Sequence, residues 1–161
     1  MTHETAAARA LQHAVSGGGA HASAAHVFAG VNWKTAGTIP PGAPHSLYQL
    51  AAHMSFWQDW VLQWLDGERP ATPAHACGSW PAHAAPATAK QWKSTVARYE
   101  CGVAELERRS VDADRSPRQG TKSAFEMIQT IASHNSYHAG QAAYLRQWLR
   151  KWPPPHGGLT W

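Results

Sequence analysis

Only two cysteines, Cys77 and Cys101, occur in the 161 residues of this chain. Its first residues, Met1-Thr2-His3-Glu4-Thr5, lack the basic stretch and apolar run of a secretory signal. One cysteine pair without an export signal reads as two reduced thiols in the cytoplasm, not as a disulfide framework. Cys77 also lacks the local Cys/His signature of a nucleophile. No stretch approaches the roughly 20 apolar residues of a membrane span, so no membrane partner is expected. Val and Ile are few, and no run of alternating β-branched residues appears, which disfavours a sheet. The formal charge is +4, yet Lys and Arg fall in short clusters such as Arg108-Arg109 and Arg150-Lys151. With no basic block among aromatics and no recognition-helix or zinc-finger spacing, nucleic acid is not an expected partner.

Alanine is abundant instead, beside eleven histidines and nine tryptophans. The length suits a single domain spanning residues 1–161, with room for a substantial core. Apolar residues recur at helical spacing in four units. The first covers Glu4–Val15 and, past a break at Gly17–Gly19, a shorter piece at Ser23–Ala29. The stretch from Thr38 to Pro44 is a loop feeding a second helix, His45–Leu65, whose inner stripe is Leu47, Leu50, Met54, Trp57, Val61 and Leu65. Gly67 to Pro86, rich in Pro, Ala and His, is unusually long for a connection in a compact domain, and such loops are often functional. Thr88–Arg109 is the third helix and Asp112–Pro117 the next loop. Ser123–Lys151 is the fourth, stopped by Pro153-Pro154-Pro155. No internal repeat is present, and the expected fold class is all-α.

The fourth helix sets Met127, Ile131, His134, His138, Ala142, Leu145 and Leu149 on one side, at about 100° per residue. A histidine there must hydrogen-bond, stay neutral or bind a metal, because an unpaired polar group in a core costs roughly 2–7 kcal/mol. His134 and His138, four residues apart, bring their imidazoles within reach of one cation. His53 lies on the flank of the second helix's stripe, in line with Leu50 and Trp57. If the two helices pack side by side, His53 joins the pair as a third ligand. The alternative is three satisfied core or surface histidines. Three neutral imidazoles on a divalent ion leave positions open for water or substrate, as a catalytic site requires.

These residues carry a resemblance. The run Ile131-Ala132-Ser133-His134-Asn135-Ser136-Tyr137-His138-Ala139-Gly140-Gln141, followed by Tyr144-Leu145-Arg146, resembles the last-helix signature of the DinB-like (YfiT-like) superfamily. Pro44-His45-Ser46-Leu47, with His53 beyond it, resembles that family's second-helix signature. Gly17-Gly18-Gly19-Ala20-His21 and Ser79-Trp80-Pro81 resemble stretches of one branch. The similarity spans nearly the whole chain, in order. It implies a four-helix bundle of DinB-like type in which His53, His134 and His138 hold one divalent metal. Imidazole ligands suit zinc and nickel, the two metals expected. Ser133 departs from the pattern, since relatives often carry an acidic residue there.

The resemblance implies three functional readings. One is a transferase that activates a low-molecular-weight thiol, such as mycothiol or bacillithiol, on the metal; this is the reading preferred, because a cation lowers a thiol's pKa. The others are a metal-dependent hydrolase and a metal-binding stress or interaction protein without catalysis. A zinc peptidase would carry Glu where Asn135 stands in H-E-x-x-H, so that reading loses its general base.

Other residues have open roles. Gln141, Tyr137 and Tyr48 could orient a water or a ligand imidazole, or simply pack. His75, His83 and Trp80 form either a lid over the site or part of a solvated crossover. His21 and His26 are candidate pocket contacts, and His45 caps the second helix or faces solvent. His3, His13 and His156 look peripheral. Trp57, Trp60, Trp64, Trp148 and Trp152 are expected to fill the bundle core or a subunit interface, with a pocket wall as the alternative. Phe56, Trp60, Tyr144 and Trp148 lie off the inner stripes, where a two-fold homodimer face is expected; otherwise they line the mouth of the metal pocket or pack under the Gly67–Pro86 loop.

Overall fold

The computed structural model describes residues 5–17, 21–113 and 121–155. Among these there is no β-strand, and five α-helices appear: α1 Ala6–Ser16, α2 Trp33–Ala36, α3 Leu47–Leu65, α4 Ala89–Ser110 and α5 Ala124–Trp148. The long helices start where the sequence supplies a cap. Thr5 and Thr88 accept from backbone N–H groups of α1 and α4, and Ser46/Gln49 and Ser123/Glu126 make reciprocal capping boxes on α3 and α5. Each such cap is worth about 1 kcal/mol. α1 stops at Gly17, whose φ of 75° is the left-handed conformation that glycine adopts without strain.

Four helices form the bundle expected from the sequence. α3 packs against α4 and α5, and α1 packs against the same two, so α1 and α3 lie on one diagonal. The shared core includes Leu47, Leu50, Met54, Val103, Leu106 and Ile128, all essentially inaccessible to solvent. Burying each is worth about 1.5–3 kcal/mol.

Several boundaries differ from the expectation. α2 was not foreseen; its four residues are too few to show a period, and Asn32 caps it through two backbone N–H groups. The piece at Ser23–Ala29 is a single 3-10 turn, Ala24–His26, followed by turns. α5 ends at Trp148 instead of Lys151 because Arg150 takes a φ of 54° and the Lys151 N–H turns back to the Arg146 carbonyl. Glu4, Gly18, Gly19, most of the loop at 112–117, His3 and His156 lie outside the described residues.

The segment after α1 is pinned across the bundle. Phe28 sits edge-on to Tyr99 and Trp92, and the Trp92 indole N–H donates to the Val31 carbonyl at 2.7 Å. Arg146, buried on α5, donates to the carbonyls of Val27 and Ala29 at 3.0 and 2.8 Å. These bonds hold that end of the bundle closed, which leaves the other side of α5 to face α3.

Candidate metal centre

The middle connection runs along one face of α3. Ser46, Gln49 and His53 share that face at helical spacing. Each donates to a loop carbonyl: Ser46 to Ala84, Gln49 to Pro81, and the His53 Nδ1–H to Ser79 at 3.3 Å. The last bond sets the tautomer of His53 and leaves its Nε2 bare, aimed at α5.

Two histidines of α5 meet that atom. His134 Nε2 lies 3.1 Å from His53 Nε2. His138 donates its Nδ1–H to Gln141 Oε1 at 2.7 Å, which frees its Nε2 in turn. Ring centroids are 5.1 Å apart for His53 and His134, 4.8 Å for His53 and His138, and 4.4 Å for His134 and His138. One nitrogen from each ring can be chosen so that all three lie within 4.8 Å of one another. Imidazoles bound tetrahedrally at about 2.0–2.1 Å from zinc have their nitrogens about 3.3 Å apart, so the His53–His134 pair already stands near that spacing and the third nitrogen has at most about 1.5 Å to close.

The donor set fits a divalent cation. Two Nε2 atoms facing each other at 3.1 Å can share only one proton, and a cation satisfies both. His134 Nδ1 is buried without a hydrogen-bond partner among the described residues. Burial, then neighbouring His138 and His134, lowers the pKa of His53 to about 4. Burial, then His138, lowers that of His134 to about 4. Burial pushes His138 down as well. All three are therefore neutral at pH 7, the state a metal ligand needs.

Trp80 closes this side. Its ring stacks on His53 at 3.8 Å and 6°, and on His45 at 3.6 Å and 11°. It also lies edge-to-face with His138 at 5.7 Å. The middle connection thus covers the triad through Trp80, whereas His75 and His83 are exposed. Periodicity cannot predict this stacking, because the loop's path is set by the three carbonyl bonds to α3.

The remaining candidates separate clearly. Gln141 holds the His138 ring, one of the roles the sequence leaves open for it. Tyr137 lies against His138 at 5.0 Å but is mostly exposed. Tyr48 is turned toward α4, where its hydroxyl accepts from Gln91 Nε2 at 2.9 Å. His45 is not the cap of α3, because Ser46 fills that position; it is half-buried against Trp80. His21 lies apart from the triad and bonds to Ser136 Oγ at 3.0 Å and the Ala22 carbonyl at 2.8 Å, tying the segment after α1 to α5. His13 and His26 are exposed, as are the free thiols of Cys77 and Cys101. Ser133 is exposed, and its hydroxyl donates back to the Gln129 carbonyl.

The outer aromatics divide. Phe56 and Trp60 are half-buried, and the Trp60 N–H donates to the Pro70 carbonyl at 3.1 Å. Trp57, Trp60 and Trp64 line a cavity of about 350 Å³ that reaches His134. Tyr144 and Trp148 are exposed beside a second cavity, of about 410 Å³, that reaches Gln141 and His45.

The sequence profile of the DinB superfamily matches residues 19–142. The chain belongs to the DinB superfamily. The matched stretch holds the three triad histidines, Gln141 and Trp80, and leaves out α1 and the last residues of α5. No curated protein and no solved structure matches this DinB-superfamily chain. Among the described residues, no helix is long and apolar enough to cross a membrane.

Proposed function

We propose that this chain is a metal-dependent transferase that joins a low-molecular-weight thiol to an electrophile, with one divalent ion, zinc or nickel, held by His53, His134 and His138. The observation that carries the metal site is the pair of Nε2 atoms 3.1 Å apart with His138 beside them. A divalent cation there supplies Lewis acidity, which favours the deprotonated form of a thiol. The chain's own residues do the rest. The Ser79 carbonyl and Gln141 hold two imidazoles in their metal-ready tautomer and orientation. Trp80 shields the His53 side from water.

Thiol chemistry is preferred to hydrolysis for a reason of charge. The ligating group that comes together among the described residues contains no carboxylate. Hydrolysis gains from a general base poised near pH 7. A thiol, with an ordinary pKa near about 8.5, needs only a modest push to ionise. The cytoplasm, where small thiols stay reduced, is the compartment proposed.

The test is an activity screen of tag-free, metal-loaded protein with several low-molecular-weight thiols and electrophiles, run beside ester and amide substrates. Thiol adducts that disappear in His134→Ala support the proposal. Turnover of esters or amides alone assigns a hydrolase, and inactivity with metal-dependent stability intact assigns a binding protein.

A further inference from the structure

We propose that the cavity between the Pro40–Pro44 loop and α5 seats the electrophile, that it takes an uncharged, planar, apolar group, and that Gly140 sets its size. The term electrophile rests on the thiol-transfer reading; the cavity and its ligand class do not.

The cavity measures about 410 Å³, within the range of about 300–1,000 Å³ typical of small-molecule sites. Prolines form one wall, and Leu50, Leu145, Tyr144 and Trp148 form much of the rest. No Asp, Glu, Lys or Arg lines it among the described residues. An anion or cation placed there would lose its hydration without gaining a partner. The cavity of about 350 Å³ near His134 differs, because Lys122 lies in its wall.

Two polar side chains of the first cavity, Gln141 and His45, lead to the triad. Gln141 grips His138 through its Oε1, and its amide N–H₂ can serve a ligand. His45 stacks on Trp80, which stacks on His53. The His45 Nδ1 is buried without a hydrogen-bond partner among the described residues. A group held here lies one side chain from the triad.

Gly140 is the sharpest sign that this space is used. It sits deep inside α5, where glycine is the poorest residue short of proline. Its backbone is not left-handed, and a Cβ added there meets nothing within 4 Å. Neither backbone conformation nor packing calls for glycine at this position. Gly140 is exposed and borders both this cavity and a neighbouring one that reaches His21 and Trp152, so a side chain there would take up open space at the edge of the proposed site. Tyr144, one turn on, and Trp148 after it are 60% and 55% exposed and offer flat apolar faces to a ring.

Two dyes test this on the full chain: phenylnaphthylamine, which is uncharged, and anilinonaphthalene sulfonate, which has the same rings and a negative charge. The uncharged dye should bind at one site, about tenfold or more tighter than the sulfonate. Gly140→Leu should weaken it by about tenfold while metal content holds and the thermal midpoint does not fall, and Trp148→Ser should weaken it several-fold. Thr130→Leu, in the wall of the other cavity, should leave it unchanged. Unaltered affinity in both Gly140→Leu and Trp148→Ser, or a loss caused by Thr130→Leu instead, overturns the proposal. Measuring zinc and nickel uptake beside the titration separates the two readings. Gly140-dependent binding in a chain that takes up neither metal keeps the cavity and removes thiol transfer. Full metal loading without such binding removes the cavity alone.

Discussion

α3 has two long neighbours, and the seams it makes with them differ in kind. Against α4 the contact is closed. A Cβ on Gly102 would lie 2.3 Å from Gln58 Oε1, so glycine is what lets these helices approach. Tyr99, Val103 and Leu106 fill the interior of that seam, and the pairs Arg98–Asp59 and Arg109–Asp66 bridge it at the surface. Against α5 the contact is held open. Three imidazoles meet there, one cavity reaches His134, another reaches Gln141 beside His138, and Gly140 borders open space. One seam is built for cohesion, and the other leaves nitrogen lone pairs and volume uncommitted. Glycine serves both, for opposite reasons.

The largest expected effect tests the open seam directly. Tag-free protein should carry about one divalent ion per chain, and His53→Ala, His134→Ala or His138→Ala should each reduce this to less than about a tenth. Exposed His13→Ala and His75→Ala should retain it. Elemental analysis decides the matter. Full metal in His53→Ala would move the third ligand off α3 and leave the seam without its purpose.

Next in size is the contrast between the glycines. Gly102→Leu overpacks buried Gln58 and should cost about 1–3 kcal/mol or more. Gly140→Leu should gain up to about 1 kcal/mol, because leucine is the better helix former and meets no obstacle. For a chain of this size each kcal/mol moves the thermal midpoint by about 2–4 °C. Midpoints that move the same way would break the comparison.

Much of this was legible in the sequence, and the limits are physical. His134 and His138 follow from the helical period, since four residues apart on one stripe means adjacent in space. His53 could be set on α3's flank by the same period, and the family signature matched it to the pair. Gln141 lies one turn from His138 and was within reach of the same reasoning. Tyr48 was not: proximity to the site in sequence says nothing about which neighbour a flank residue faces, and it faces α4. Trp80 lies in an aperiodic loop whose course depends on Ser46, Gln49 and His53 donating to its carbonyls. The two glycines look alike in sequence because only the neighbouring helix tells a close approach from a vacancy.

Acid separates the seams more gently. In metal-free protein the unfolded histidines take up protons near their ordinary value of 6.5, while folded His53 and His134 resist until about pH 4. The unfolded chain therefore binds more protons across that window. The stability from the open seam is complete above about pH 6.5 and is lost as pH falls toward 4. On α4, hydrogen bonds from Arg108 and Arg109 lower Glu105 to about 2, so its contribution is complete above about pH 4.5 and is lost as pH falls from there toward 2. Urea titrations of metal-stripped protein from pH 7 to pH 4 should show a decline that becomes shallower in His134→Gln. A decline of equal slope in that variant would place the titrating groups elsewhere.

The smallest expected effect concerns the outer edge of the open seam. The sequence groups Phe56, Trp60, Tyr144 and Trp148 as a dimer face, a pocket mouth or a patch packed under the Gly67–Pro86 loop. In the structure Trp60 is tied to the Pro70 carbonyl, while Tyr144 and Trp148 stand beside the cavity that reaches Gln141. If these two rings serve as ligand walls, removing one alters binding and leaves association untouched. Light scattering at micromolar concentration should therefore give the same mass for Trp148→Ser as for the parent chain, even as the uncharged dye binds more weakly. A mass that halves in the variant would mean that a second copy of the chain covers this face. The open seam would then be closed by an interface between subunits, and the volume beside Gly140 would belong to the dimer.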